Sequence, residues 1–184
     1  MIRQSFAVGL LACASFNATA RDELNEAQIT ERIQEKVSHF AQAVTCVDAA
    51  KPDPVLRPDF IGALQPYQLD TMDGAEFVGF WVGDMGCAGG TVKFNLVNVK
   101  TDEKGVFYVD ARASEPAIKL DGINTRFVQR VVGASLDTLT IEGLDFEAGD
   151  ANDFPTKTYR YTLKRESAGD WKVTAKKDLN PTKK

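Results

Sequence analysis

The hydrophobic period changes once along this chain, at Glu76, and that change constrains the fold more than any single motif. Before it, Ile29, Ile33, Val37, Phe40 and Val44 recur at three- and four-residue steps, the spacing of one helical face. Asn25 is a suitable N-cap and Glu26 suits the positive end of the helix dipole, so a helix is predicted over residues 25–47. After Glu76, apolar and polar residues alternate in short runs separated by turn signals such as Asp102-Glu103-Lys104-Gly105 and Ser167-Ala168-Gly169-Asp170. Strands are predicted near 76–83, 91–100, 106–112, 117–120, 126–133, 138–146, 157–165 and 171–177. A lone helix followed by strands is an α+β pattern. The expected architecture is one long N-terminal helix packed on a curved, mostly antiparallel sheet of about seven or eight strands.

Two strands change phase. Val92, Phe94 and Leu96 alternate with polar residues until Val97 and Val99 take over, and Leu139 and Ile141 give way to Leu144 and Phe146 around Gly143. Bulges near Leu96 and Gly143 would reset the register and bend the sheet around the helix. Upstream, Pro52, Pro54 and Pro58 make residues 48–58 an extended connector, and residues 59–65 read as a short helical turn.

Residues 1–20 have the form of a secretory leader. Arg3 gives the charged start, residues 6–16 the short apolar run, and Ala18-Thr19-Ala20 the small residues at the cleavage positions. The run is shorter than the roughly 20 residues that span a bilayer. Leu10-Leu11-Ala12-Cys13 loosely resembles a lipobox, but Leu11 is uncommon at its position and the segment before it is short. Cleavage before Arg21 is therefore expected, rather than a lipid anchor at Cys13. Residues 21–184 then form a single globular domain, periplasmic or secreted, with no transmembrane segment. The chain's net charge is −4, and Arg3 is the only charge in the leader. A mildly acidic domain argues against general nucleic-acid binding.

Loss of the leader removes Cys13 and leaves Cys46 and Cys87. Two cysteines in an exported protein are expected to pair. Closing a loop of about 40 residues is worth about 4 kcal/mol in the chain-entropy model. A zinc site needs four ligands, and the only histidine, His39, falls off the apolar stripe of the predicted helix. Around Cys87 lie Gly83, Gly86, Gly89 and Gly90. A phosphate-cradling loop would lead from a strand into a helix, whereas residues 91–99 read as strand. No C-x-x-C is present. The glycines therefore read as a sharp turn between two core strands.

Two surface constellations remain. Asp145, Asp150, Asn152 and Asp153 are hard oxygen ligands in an acidic loop, a weak calcium alternative that lacks EF-hand spacing. Arg160, Lys164, Lys172 and Lys176 fall on the polar faces of the last two predicted strands and form a candidate basic stripe for a partner. The plainer explanation is a solvated face whose lysines guard a sheet against edge pairing. Neither constellation marks a catalytic site, and no cofactor is implied. The expectation is an exported, non-enzymatic domain that binds a protein of the cell envelope, as an inhibitor or immunity-type protein does. The alternatives are an envelope assembly or accessory structural protein, and a small-molecule carrier whose helix-sheet cavity is lined by Phe80, Trp81, Phe94 or Tyr108.

Overall fold

A computed structural model describes residues 24–45, 60–64, 73–85, 92–151 and 154–180. The one α-helix among these described residues, α1 (Glu26–Val44), starts with a reciprocal cap. The Asn25 side chain accepts the Gln28 amide at 3.0 Å and the Gln28 side chain accepts the Asn25 amide at 2.9 Å. Ile29, Ile33, Val37 and Ala41 form the buried stripe, with Phe40 and Val44 packed beside it. His39 is exposed. Among the described residues, no helix is long and apolar enough to cross a membrane.

The strands form two sheets, which corrects the expectation of one curved sheet of seven or eight strands. β1 (Ile61–Ala63), β2 (Glu76–Gly83), β3 (Lys93–Thr101) and β4 (Phe107–Val109) make an antiparallel sheet in sequence order. β5 (Leu120–Asp121), β6 (Val128–Ser135), β7 (Thr138–Asp145), β8 (Lys157–Arg165) and β9 (Trp171–Asp178) make a second, in the order β5-β9-β8-β7-β6. Its one parallel pair is β5 with β9. The class is α+β. β1 replaces the helical turn expected over residues 59–65.

The split has a local cause. Beyond β4 the chain continues beside β3 without becoming a strand. The amides of Asp110 and Glu115 donate to the carbonyls of Asn98 and Leu96. In return, the amide of Asn98 donates to Ser114 Oγ at 2.9 Å and that of Leu96 to Glu115 Oε2 at 2.8 Å. Side chains thus occupy donors that a further strand would need. With that edge closed, later strands must build their own sheet.

The first sheet is the middle layer. On one face lies α1, whose C-cap Thr45 packs against Gly83, where an added side chain would also run into the Trp81 ring. The other face meets the second sheet. Gly62 of β1 leaves room for β6: a Cβ there would stand 2.8 Å from Ala134 Cβ and 2.9 Å from Val131 Cγ1. Buried Glu76 of β2 accepts Arg165 Nη1 of β8 at 3.1 Å. Val78, Phe80 and Leu96 share one buried cluster with Leu139, Ile141, Tyr161, Leu163 and Trp171.

Two-sided burial accounts for the phase change in β3. Residues 95–99 are all buried, and β2 and β3 pair without interruption from Glu76↔Lys100 to Gly83↔Lys93. The bulge expected near Leu96 is absent, because a strand between two layers is buried on both faces, here with Asn95 and Asn98 among its buried residues. β7 and β8 likewise pair without interruption through Gly143. The irregularities lie in the β6–β7 pairing, at Val128/Arg130 and Val131/Gly133, and between β8 and β9.

Candidate binding face

The irregularity between β8 and β9 decides which cations share a face. Leu163 pairs with Val173 and Thr162 with Ala175, so Thr174 is an extra residue on β9. An inserted residue reverses the alternation of everything after it. Lys164 and Lys172 pair before the bulge; after it, Arg160 pairs with Lys177 and Tyr161 with Lys176. The structure therefore brings three of the four stripe residues together, Arg160, Lys164 and Lys172, and sends Lys176 to the opposite face. The Lys176 ammonium lies 3.9 Å from the centroid of the Tyr159 ring and 2.7 Å from Asp145 Oδ2. Lys177 takes the place on the outward face that simple alternation gives to Lys176.

One row of that face runs in register across four strands: Arg130, Glu142, Arg160, Lys177. Glu142 is buried between the two arginines. Its Oε2 accepts Arg130 Nε at 2.7 Å, and its Oε1 accepts Arg160 Nη2 at 2.6 Å and Nε at 3.1 Å. Those bonds, Arg130 first and Arg160 second, outweigh burial and hold the carboxyl below its ordinary 4.5. A parallel row holds Thr140, Thr162 and Ala175, and the next holds Thr138, Lys164 and Lys172. Asp121 of β5 stands beside Lys172 in register, and Asp137 lies 3.8 Å from the Lys164 ammonium, with both of those side chains largely exposed. Lys172 and Lys177 are exposed and form no ion pair among the described residues. Arg130, Glu142 and Lys177 were not part of the expected stripe. The first two stand at charged positions of predicted strands, so their types were visible but their registry was not.

The acidic loop is engaged internally. Burial pushes the Asp145 carboxyl up, but the Lys176 hydrogen bond, the Phe146 amide and the Tyr161 hydroxyl pull it lower still. Asp150 closes a turn: its Oδ2 accepts the amides of Glu147 at 2.8 Å and Thr156 at 3.0 Å, and its Oδ1 accepts Thr156 Oγ1 at 2.8 Å. These oxygens serve loop geometry. Asn152 and Asp153 lie outside the described residues. Among the described residues, no group of three His, Cys, Asp or Glu side chains is placed to hold a metal.

Cys46 and Cys87 also lie outside the described residues, as do residues 1–20, where a leader is expected. Thr45, one residue before Cys46, and Met85, two residues before Cys87, form an antiparallel bridge. The aromatic residues of the carrier alternative are dispersed. Phe80 and Trp81 are consecutive on β2, face opposite sides and are fully buried. Phe94 stacks on Phe60 with ring centroids 5.1 Å apart, and Tyr108 is exposed on β4. Phe80 and Trp81, on opposite sides of β2, do not face one cavity together.

Compared with known proteins, the chain matches no family model, no curated protein and no solved structure at a significant level.

Proposed function

We propose that this chain is an exported, non-enzymatic binding domain that docks an acidic patch of an envelope protein on the outward face of its second sheet. One observation carries the reading: two like-charged pairs, Arg160–Lys177 and Lys164–Lys172, stand directly opposite each other on neighbouring strands. Like charges in that relationship destabilise a sheet. Here they occur on a chain whose net charge is −4, where acidic residues outnumber basic ones. A partner with complementary charge gives the arrangement a use. Edge protection does not account for it fully, because β8 lies inside the sheet between β7 and β9. Glu142 supports the same reading by holding two guanidiniums in fixed positions on the face.

The test is capture from envelope extract with the mature protein, identified by crosslinking and mass spectrometry. A saturable protein partner is expected, lost with the double substitution Lys164→Glu/Lys172→Glu and weakened by salt. Recovery of the same partner, equally well, by the double variant would overturn the assignment of the face.

A further inference from the structure

A second surface lies at the free edge of β5, where Asp121 adjoins Lys172 of the docking face. A hollow of about 360 Å³ opens there, where the end of the first sheet meets the segment that starts the second. Met85, Lys93, Glu115, Ile118, Lys119 and Asp121 are among its lining residues. That volume is at the lower end of the range for small-ligand sites.

The charges in it divide into two kinds. Glu115 is buried, accepts the Leu96 amide on Oε2 and binds the Lys93 ammonium on Oε1 at 3.1 Å, so this pair neutralises itself. Lys119 and Asp121 are exposed and make no ion pair among the described residues. They sit two residues apart, on one side of an extended segment, with Cα atoms about 6.6 Å from each other. Between them, Leu120 offers backbone. The pairing with β9 uses the Lys119 carbonyl, which accepts the Trp171 amide at 2.9 Å. Alternation along a strand then turns the N–H and C=O of Leu120 to the open side. The hollow's lining is more polar than apolar, with Met85 and Leu120 supplying part of the apolar share and Ile118 buried beneath.

We infer that this edge binds a short zwitterionic peptide, about two residues long, laid as an added strand along β5. Its ammonium pairs with Asp121, its carboxylate with Lys119 and its backbone with Leu120, and one of its side chains faces the hollow. Opposite charges one strand repeat apart, with a free backbone between them, match the ends of an extended dipeptide.

The experiment is a ¹H–¹⁵N NMR titration of the full chain with L-leucyl-L-leucine. The controls are the N-acetylated and the C-amidated forms of the same dipeptide. Saturable shifts at the amides of Lys119, Leu120 and Asp121 are expected, with affinity lowered about tenfold or more by Lys119→Ala, by Asp121→Asn and by either capped control. Lys177→Ala, at the far end of β9 on the docking face, should leave the titration unchanged. Absence of saturable shifts at these amides up to about 10 mM ligand would overturn the inference, as would capped dipeptides binding as well as the free one. Neither result would bear on the docking face.

Discussion

Lys176 stands 3.9 Å from the centroid of the Tyr159 ring, while its neighbour Lys177 stands opposite Arg160 on the outward face. One inserted residue, Thr174, separates these two fates. The two lysines should therefore behave differently. Lys176→Ala removes a cation–π contact and the hydrogen bond to Asp145, and should lower stability by about 1 kcal/mol in urea denaturation. Lys177→Ala relieves repulsion with Arg160 and should leave stability unchanged or slightly raised, while weakening partner binding.

Glu142 should give the face a pH signature. Its folded-state carboxyl titrates below the ordinary 4.5, so its contribution is full above that value and is lost as pH falls through the depressed one. Glu142→Gln should destabilise by about 1–2 kcal/mol at pH 7, where two guanidiniums lose their counter-charge. The gap between variant and parent should close as pH drops below about 4. Urea melts at neutral and acid pH measure it; a gap that does not change with pH would contradict the ion-pair account.

Gly62 marks where β1 and β6 touch. A Cβ there would lie 2.8 Å from Ala134 Cβ, closer than packed carbon atoms come, so Gly62→Val must push the sheets apart. A loss of about 2 kcal/mol is expected, and Gly62→Val/Ala134→Gly should recover part of it. Gly133, whose added Cβ meets nothing within 4 Å, is the control position for alanine.

The Thr45–Met85 bridge brings the chain together beside both cysteines in sequence. Cys46 and Cys87 are expected to form a disulfide in the exported protein, seen as a linked peptide pair in non-reducing mass spectrometry. Cys87→Ala should then lower stability by a few kcal/mol under oxidising conditions and much less under reducing ones. Equal stability in both conditions would mean that the staple is absent.

Local signals were legible and non-local ones were not. The Asn25 cap, the stripe from Ile29 to Val37 and the positions of most strands follow from residue spacing within a few turns of chain. The partition into two sheets does not, because it depends on Ser114 and Glu115 reaching back to close the edge of β3. The phase change near Leu96 was visible, but two-sided burial and a bulge leave the same mark in a sequence. The reverse held at Thr174: a regular alternation from Trp171 to Lys176 concealed a real bulge. Three members of the basic stripe fell on one side of that residue's influence and Lys176 on the other.

The outward face of β8 and β9 is proposed to contact a protein partner. The most direct measurement places a photo-crosslinking residue at Ala175, exposed on that face and paired with Thr162, and a second at Tyr108, exposed on β4 of the other sheet. A saturable crosslink to an envelope protein is expected from position 175 alone, abolished by Lys164→Glu/Lys172→Glu. No saturable crosslink from position 175, or the same product from position 108, would contradict it.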